Sequence, residues 1–327
     1  MIAATNYLNF FYCFDENFNE IALTSIISLL DNVSEPINIH CLHNNLSNFP
    51  DLSKKISEHK NLNKIYKYEF KHTDIDFPNL DDSHISEATY YRLFIDQYVS
   101  KEVNFVIYID SDVLCISDPI FELKKYIKNL ESSKYCLAAK TELLNNLNKD
   151  VVIQKSEESA MFRTYWPFER LNVKNKYFNA GFMILDLEKW KKDSIFVNLI
   201  KKLDEISSNI VAWDQDVLNA FFNGRYIDLP SEFNKFSQHF HKNSKLDFFI
   251  HFYGSKKPWT VDGITLDSSE IYQNNFRKIN KEKYHIKIIW KKYAIKLFFK
   301  NIVNLKIFKL DYPFSYMVIF FKTLLRK

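Results

Sequence analysis

The sequence predicts an α/β protein whose strands form a mostly parallel sheet flanked by helices. Short apolar runs, typical of buried strands, alternate with segments of helical periodicity along the first 140 residues. One of these runs, at residues 105–109, consists of apolar and aromatic residues and is followed at once by two carboxylates. Hydrophobic residues make up 46% of the chain and aromatic residues 17%, which supports a large packed core.

The predicted elements follow one another at short intervals. Strands are expected at residues 9–14, 37–42, 65–70, 105–109 and 135–139, and helices at 21–30, 52–59, 86–94 and 120–130. In a parallel sheet, ligands bind beyond the carboxyl ends of the strands. Asp15, Asn17 and the pair Asp110 and Asp112 follow such strands, so we expect them at that edge.

The segment Asp110-Ser111-Asp112 is the first candidate for chemistry. If the preceding strand continues through it, both carboxylates point to the same face, because side chains alternate along a strand. Two adjacent carboxylates repel each other, and a hard divalent cation would stabilise them. The alternative is an Asp-Ser-Asp turn whose side chains cap the backbone. The tripeptide alone favours the turn, but the long apolar strand before it and the segments downstream reverse that preference.

Glycine is scarce, which excludes two nucleotide-binding motifs. The chain has four glycines, and none precedes Gly181. An N-terminal dinucleotide fingerprint and a P-loop both need glycines where the backbone approaches phosphate. A nucleotide diphosphate would therefore need another source of positive charge, such as a metal ion held by Asp110 and Asp112.

Four single residues carry further candidate chemistry. Arg92 lies among aromatic and aliphatic residues, so its guanidinium needs an acidic or a phosphate partner. Asp214 is a fair helix N-cap. His251, in a predicted strand at 249–254, is either a core histidine or a nitrogen ligand for the same cation. Lys257 follows a glycine turn and could reach a phosphate.

The middle of the chain contains a predicted loop, followed by a segment that a ligand or another backbone is predicted to approach closely. Residues 143–170 are polar and irregular, which is typical of a mobile lid or an acceptor loop. Asn179, Ala180 and Gly181 come next and are expected to precede a strand. The two small residues would let a ligand or another backbone approach closely.

Four segments in this order resemble the family 8 glycosyltransferases. They are Asp110-Ser111-Asp112, Phe178-Asn179-Ala180-Gly181, Asp214-Gln215-Asp216 and the segment from His251 to Trp259. The resemblance runs from about residue 9 to about residue 259. It is strongest to the bacterial lipopolysaccharide galactosyl- and glucosyltransferases and more distant to glycogenin. It implies a GT-A fold, a UDP-glucose or UDP-galactose donor, and retention of the anomeric configuration.

The resemblance also implies roles for individual residues. The metal ligands would be Asp110, Asp112 and His251, and the ion would be Mn²⁺, with Mg²⁺ as the alternative. The nucleotide-sugar would be bound by Asp15, Asn17, Arg92, Ser111, Gly254 and Lys257. The catalytic group would consist of Asn179 and Asp214, which hold the donor sugar, and Gln215, which faces the anomeric carbon.

One stretch departs from the family pattern. Some members carry a sugar-binding Asp just after the strand equivalent to residues 137–139, whereas this chain has Lys140, Thr141 and Glu142 there. Thr141 or Glu142 could take that role. The family places an amide, a poor nucleophile, at the anomeric carbon. We therefore predict a front-side reaction in which the departing phosphate helps to deprotonate the acceptor hydroxyl.

The C-terminal residues differ in charge from the rest. Residues 285–327 contain ten Lys or Arg and one acidic residue, whereas the remainder has a net charge of −5. Lys292, Lys296 and Lys300 lie on one helical face, among aromatic and aliphatic residues. A basic amphipathic segment of this kind favours an anionic membrane surface over nucleic acid. The alternative is a helical subdomain packed on the catalytic body.

These observations predict two regions and a location. Residues 1–262 would form a GT-A catalytic domain, and residues 263–327 a basic, aromatic helical region that is a candidate for membrane association. No signal peptide is expected, and no run reaches the ~20 apolar residues that span a bilayer. Four scattered cysteines predict buried thiols in a reducing compartment. The expected location is the cytoplasm, at the inner face of the cell membrane.

Three functions are compatible with these residues. The leading one is a retaining, metal-dependent transfer of glucose or galactose from a UDP-sugar to a hydroxyl of a bacterial surface glycan, such as lipopolysaccharide core or capsule. The second is a non-catalytic protein that binds a divalent cation or a glycan; a metal binder would need neither Asp214-Gln215 nor Lys257. The third is a nucleotidyltransferase, which the missing glycine-rich loop disfavours. The glycan or glycolipid acceptor, the linkage and the oligomeric state stay open.

Overall fold

The computed structural model of the chain describes residues 7–72, 74–78, 86–146, 166–240 and 246–326. The strands are β1 (Asn9–Phe14), β2 (Ile37–His43), β3 (Leu62–Glu69), β4 (Phe105–Ile109), β5 (Val113–Cys115), β6 (Leu137–Leu144), β7 (Lys176–Asp186), β8 (Ile227–Asp228), β9 (Lys235–Phe236) and β10 (Phe249–His251). The helices are α1 (Asn19–Asn32), α2 (Lys54–Ser57), α3 (Ile95–Tyr98), α4 (Ile120–Ser132), α5 (Pro167–Arg170), α6 (Leu187–Lys192), α7 (Ile195–Ile206), α8 (Trp213–Phe222), α9 (Ser269–Ile279), α10 (Lys291–Val303) and α11 (Pro313–Leu325).

The described residues form a seven-stranded central sheet with the order β3-β2-β1-β4-β7-β6-β8. β1 is parallel to β2 and β4, and β2 is parallel to β3. β7 runs antiparallel to both of its neighbours, β4 and β6, and β8 is parallel to β6. The sheet is therefore mixed and mostly parallel, as the sequence predicts.

The central strands are apolar because both faces of the sheet are covered. Phe10 of β1 and Ile107 of β4 pack into one core, which includes the buried residues of α1. Their neighbours Phe11 and Tyr108 pack into the other core, which lies beneath α7 and α8. Alternation of side chains thus supplies two cores from one run of apolar residues.

A second, three-stranded sheet has the order β5-β10-β9. β10 is antiparallel to β5 and parallel to β9. In this register His251, the last residue of β10, lies opposite Val113, the first residue of β5. The pairing therefore brings His251 beside Asp112, although the two are far apart in the sequence.

Several predicted boundaries were wrong for local reasons. The predicted helix at residues 52–59 shortens to α2, and residues 86–94 form a 3₁₀ helix, Glu87–Phe94, whose N-cap Ser86 makes no capping hydrogen bond. Asn179-Ala180-Gly181 lies inside β7 and not before it, because this strand extends along both β4 and β6. α8 begins at Trp213, so Asp214 is not its N-cap.

The predicted lid falls partly outside the described residues. Its first two residues belong to the end of β6, and its last residues form α5. Residues 147–165 of the predicted loop are not described. The prediction of a mobile or acceptor-binding loop therefore stays a prediction.

The C-terminal helices pack onto the segment that follows the second sheet. α9 lies against α1 through an apolar cluster that contains Ile21, Tyr272 and Phe276. α10 and α11 form a further cluster around Phe298 and Phe320, which also includes buried residues of the segment 261–286. Among the described residues, no helix combines the length and the apolar character that crossing a membrane requires. The four cysteines are buried free thiols, as predicted.

Candidate active site

A cavity of about 310 Å³ lies where β4 ends. The predicted site residues that line it are Arg92, Asp110, Asp112, Asn179, Asp214, Gln215, His251, Gly254 and Lys257. Of the described residues that were predicted for the site, Asp15, Asn17 and Ser111 are outside this lining. The fold therefore gathers most of the predicted residues, from five separate segments, around one space.

A turn, and not a continuing strand, brings the two carboxylates together. β4 ends at Ile109, and the N–H of Val113 donates to the carbonyl of Asp110 at 3.1 Å. The strand-alternation argument was thus wrong, and the turn that was its alternative is the local structure. The turn does not exclude a metal site, because ligand atoms of Asp110, Asp112 and His251 all lie within 4.8 Å of one another. These three residues could hold a metal ion.

The ring of His251 reaches this position because Gly181 has no side chain. A Cβ atom at residue 181 would lie 2.5 Å from Cε1 of His251. Such a contact is far inside the van der Waals distance. The glycine of the Asn-Ala-Gly segment is therefore required for the packing of the candidate metal ligand.

Asp112 is held in its ionised form by its neighbours. Nζ of Lys257 lies 2.5 Å from Oδ2 of Asp112, and Nε2 of His251 lies 3.3 Å from Oδ1. Burial disfavours the charged carboxylate, but Lys257 and His251 outweigh burial and lower the pKa of Asp112 below its usual range. A buried, ionised carboxylate is a suitable ligand for a divalent cation.

Arg92 joins the candidate metal site to the candidate sugar site. Its buried guanidinium lies 2.9 Å from Oδ1 of Asp110 and 2.9 Å from Oδ2 of Asp214. It also donates to the carbonyl of Ala180 at 2.8 Å and stacks on the ring of Tyr108. The partners of Arg92 in the structure are thus acidic side chains, which is one of the two alternatives that the sequence left open.

Asp214 is buried and titrates unusually. Thr89 donates a hydrogen bond of 2.7 Å to Oδ1 of Asp214. Burial raises the pKa of Asp214 to about 6, although Arg92 and Thr89 act in the opposite direction. This carboxyl group therefore changes charge near neutral pH, in the wall of the cavity.

The side-chain amide of Gln215 is held at both ends. Its Oε1 accepts hydrogen bonds from the N–H of Ala180 at 3.0 Å and from Nδ2 of Asn179 at 3.2 Å. Its Nε2 donates to the hydroxyl of Tyr177 at 3.1 Å. The pairing of β6 with β7 is irregular beside Ala180, which leaves this backbone N–H for a side chain.

Asp216 sits behind Gln215 and is fully buried. Its carboxylate accepts two hydrogen bonds from Arg170 at 2.6 and 3.1 Å, and one from the hydroxyl of Tyr177 at 2.8 Å. The backbone N–H groups of Val211 and Ala212 add two more, at 2.7 and 2.8 Å. These donors fix the side chain of Asp216, which in turn anchors Tyr177.

The structure distinguishes Thr141 from Glu142. The hydroxyl of Thr141 bonds to the hydroxyl of Tyr226 at 2.7 Å and to the carboxylate of Asp228. Glu142 lines the cavity and lies 3.3 Å from Nδ2 of Asn179, and burial raises its pKa. Of the two residues, Glu142 is the one that faces the candidate sugar site.

Asp15 and Asn17 form a separate, local turn. Oδ1 of Asp15 accepts a hydrogen bond of 3.0 Å from the N–H of Asn17 and caps a short 3₁₀ helix. The carbonyl of Asn17 accepts a hydrogen bond from Nζ of Lys287. Ser111 is buried, with no hydrogen bond to its Oγ from the described residues.

Sequence reasoning missed Asn234, Tyr177 and Arg170. Asn234 is fully buried and bonds to both Asn179 and His251. It lies in a short polar stretch before β9 that resembles a surface loop, so no sequence signal distinguishes it. Arg170 falls in the predicted loop and Tyr177 before the predicted strand, and neither stands out in the sequence because their partner Asp216 is remote.

The fold is that of known glycosyltransferases. The structure of the galactosyltransferase LgtC in complex with donor and acceptor sugar analogs is similar, with a TM-score of 0.65 and 20% identity over 84% of this chain and 97% of that chain. The bifunctional glycosyltransferase WbbM gives a TM-score of 0.60 at 20% identity, over 90% of this chain and 52% of that chain. These likenesses show the predicted GT-A fold.

The family follows from the sequence. The sequence model described as glycosyl transferase family 8 matches residues 9–263. The chain therefore belongs to glycosyltransferase family 8, as the four motifs predicted, and it is a glycosyltransferase.

Two of the curated relatives are lipopolysaccharide glycosyltransferases. General stress protein A of Bacillus subtilis is 25% identical over 271 residues, which is 76% of this chain and 85% of that protein. The lipopolysaccharide 1,3-galactosyltransferase of Salmonella typhimurium is 27% identical over 187 residues, and a lipopolysaccharide 1,2-glucosyltransferase of Escherichia coli is 29% identical over 186 residues. Each of these two alignments covers 53% of this chain and 49% of the relative, so the chain matches about half the length of both transferases.

Proposed function

We propose that this chain is a retaining, metal-dependent transferase that moves glucose or galactose from a UDP-sugar to a hydroxyl of a bacterial surface glycan, such as lipopolysaccharide core or capsule. One observation carries the proposal. A single cavity contains a carboxylate–carboxylate–histidine group, the ammonium of Lys257, and the side chains of Asn179, Asp214 and Gln215. With a divalent ion bound, such a cavity would have a cationic end for a diphosphate and a polar end for a sugar.

The metal would be Mn²⁺, with Mg²⁺ as the alternative. Two carboxylate oxygens and one imidazole nitrogen suit a hard or borderline divalent ion. When bound, such an ion supplies Lewis-acid stabilisation of the negative charge that develops on UDP. Asp110, Asp112 and His251 would hold it, and Arg92 keeps Asp110 in place.

The nucleotide would lie along the metal side of the cavity. Lys257 would move its ammonium from Asp112 to the diphosphate, where it stabilises the leaving group. Gly254, with a φ of +82°, allows the turn that brings this lysine back into the cavity. Ser111 would contact the diphosphate, and Asp15 and Asn17 would contact the uridine, outside the cavity lining described above.

The sugar would lie against Asn179, Asp214 and Glu142. Gln215 would face the anomeric carbon, but both ends of its amide are already hydrogen-bonded, which makes it a still poorer nucleophile. Asp216 is fully buried and surrounded by hydrogen-bond donors, so it is also a poor nucleophile. We therefore retain the front-side reaction. The acceptor oxygen attacks from the side that the phosphate leaves, and the phosphate oxygen takes the acceptor proton.

The acceptor would be a glycan or glycolipid at an anionic membrane surface. α10 and α11 pack onto the body through Phe298 and Phe320, yet they expose other aromatic and aliphatic residues among lysines. Packing on the body and binding to a membrane are thus compatible, although the sequence analysis set them as alternatives. We propose a peripheral position at the inner face of the cell membrane.

Donor hydrolysis tests this proposal. The full-length protein is incubated with UDP-glucose, UDP-galactose and, as a control donor, GDP-mannose, each with Mn²⁺, with Mg²⁺ or with a chelator. We expect release of UDP from one of the first two donors, with loss of release in chelator. Absence of release from every donor, together with no calorimetric binding of UDP plus Mn²⁺, would contradict the proposal.

A further inference from the structure

Asn234 lies between the candidate metal site and the candidate sugar site. Its side chain is fully buried, and its Nδ2 is 2.8 Å from Oδ1 of Asn179. Its Oδ1 is 2.9 Å from Nδ1 of His251. Asn234 therefore touches one residue from each site without lining the cavity itself.

The direction of these hydrogen bonds is fixed by a backbone group. The N–H of Gly181 donates to Asn179 at 3.0 Å, and a backbone N–H can only donate. The Asn179 atom that receives it must be the oxygen. The Asn234 atom that contacts the same oxygen must then be its amino group, so the carbonyl oxygen of Asn234 faces His251. Nδ1 of His251 must therefore carry a proton.

This tautomer leaves Nε2 of His251 with a lone pair that points at Asp112. The distance from Nε2 to Oδ1 of Asp112 is 3.3 Å, and in neutral His251 both atoms are acceptors. Two facing acceptors repel each other unless a proton on Nε2 or a metal cation lies between them, so a metal ion can take the place of that proton. Metal-binding histidines are commonly oriented in this way, by an acceptor on the ring nitrogen that does not bind the metal.

The same chain of amides continues to Gln215. With its oxygen occupied by Gly181 and Asn234, Asn179 presents its amino group to Oε1 of Gln215 at 3.2 Å. That oxygen also receives the N–H of Ala180 at 3.0 Å, which fixes the orientation of the Gln215 amide. One directional set of hydrogen bonds thus runs between the imidazole and the amide that would face the anomeric carbon.

We propose that Asn234 is a positioning residue that fixes the tautomer of His251 and, through Asn179, the orientation of the sugar-site amides. The inference rests on the proposed function for its metal and sugar. Its physical content, the proton on Nδ1 of His251, does not require either ligand. The position of this proton can therefore be tested without the transfer reaction.

The first test is an NMR measurement on the wild-type protein, without metal or nucleotide, at pH 8. Histidine ring nitrogens are labelled with ¹⁵N, and the resonances of His251 are identified by comparison with the His251→Asn variant. We expect Nδ1 of His251 to carry a proton. A ring whose single proton is on Nε2 would overturn the proposal, whatever the outcome of donor hydrolysis.

The second test separates the two hydrogen bonds of the Asn234 side chain, one to His251 and one to Asn179. Asn234→Ala removes both hydrogen bonds, and Mn²⁺ binding in the presence of UDP, measured by electron paramagnetic resonance of the free ion, should weaken about 10- to 100-fold. Asn234→Asp at pH 8 keeps an acceptor for His251 but loses the donor for Asn179. Its Mn²⁺ affinity should stay within about threefold of wild type, while donor hydrolysis falls about tenfold.

A matched control measures the cost of losing a buried asparagine elsewhere. Asn61 is buried and donates to the carbonyls of Leu30 and Val33, at the C-terminal end of α1. Asn61→Ala should lower the melting temperature without changing Mn²⁺ affinity. Wild-type Mn²⁺ affinity in Asn234→Ala, or equal weakening in Asn61→Ala, would overturn the proposed role.

Discussion

The cavity buries polar side chains, whereas the C-terminal helices expose apolar side chains. In the cavity, polar side chains such as Asp112, Asn179 and Asp214 are buried, and each has hydrogen-bonding or charged partners. On α10 and α11 and beside them, large apolar side chains are exposed: Trp290 is 67% exposed and Phe314 is 73% exposed.

Both arrangements are costly for a protein without ligands. Burial of a polar group loses hydration, which partners restore only in part. Exposure of an apolar side chain forgoes about 25 cal/mol for each Å² that could have been buried. We therefore propose different ligands for the two regions: small charged groups for the cavity, and an anionic membrane surface for the C-terminal helices.

The largest effect is expected when the charge of Asp112 is removed. This change tests whether the buried polar groups of the cavity bind small charged ligands. Asp112→Asn keeps the shape of the side chain but removes the charge that pairs with Lys257. We expect Mn²⁺-dependent release of UDP to fall on the order of 10³-fold. The control is Asp204→Asn, at an exposed position on α7. Retention of more than a tenth of the activity in Asp112→Asn would contradict the assignment.

The next effect concerns pH. Burial raises the pKa of Asp214 to about 6, and an ionised Asp214 would accept hydrogen bonds from the hydroxyls of the proposed donor sugar. Donor hydrolysis should rise about tenfold between pH 5 and pH 7, because this carboxyl group ionises over that range. The step should be absent in Asp214→Asn, and its persistence there would assign it to another group.

Stability should change in the opposite direction to activity. The folded pKa of Asp214 lies above the ordinary value near 3.9, so the folded state binds its proton more tightly. The contribution of this carboxyl group to stability is present below about pH 4 and is lost as pH rises through about 6. Melting temperatures of wild type and Asp214→Asn, compared over this range, would measure that loss.

A smaller effect is expected from one hydroxyl group. Tyr177→Phe removes the oxygen that links Gln215 to Asp216 but keeps the ring. The loss of one hydrogen bond to the Gln215 amide should lower kcat about fivefold with little change in the affinity for UDP. A raised Kd for UDP with unchanged kcat would show that Tyr177 acts on the nucleotide instead.

The smallest effect on catalysis is expected from changes at the C-terminal surface. These changes test whether membrane binding is separate from the reaction in the cavity. Replacing both Trp290 and Phe314 by Ser should leave hydrolysis of UDP-sugars unchanged, because neither residue lines the cavity. Binding to anionic phospholipid vesicles, measured by sedimentation, should fall about tenfold or more. Phe121→Ser, at an aromatic position on α4 that is 78% exposed, is the matched control. Equal loss in that control would contradict a specific surface.

Much of the fold could be predicted because local patterns were consistent. β1 and β4 were predicted at their observed bounds, since an apolar run between polar residues has few alternatives. The position of Asn179-Ala180-Gly181 was predicted less well. It was expected just before the strand, but residues on both sides of it pair with β6 and keep it within β7.

The candidate site was predicted where residue type and order alone carry the information. The four motifs pointed to Asp110, Asp112, Asn179, Asp214, Gln215, His251 and Lys257, and these residues line one cavity. Asn234 and Tyr177 could not be predicted, because their roles depend on partners that meet only after folding. A buried amide and an exposed amide have the same sequence signature.

By itself, the sequence determined the fold class, the family and the set of ionisable groups available for chemistry, because these depend on residue type, periodicity and order. Only the tertiary structure decided how those groups are protonated and oriented. The packing of His251 on Gly181 and the direction of the amide hydrogen bonds at Asn234 both require segments that are remote in sequence to meet. Hydrogen bonds and charges act over a few ångströms, so their outcome is a property of the assembled site.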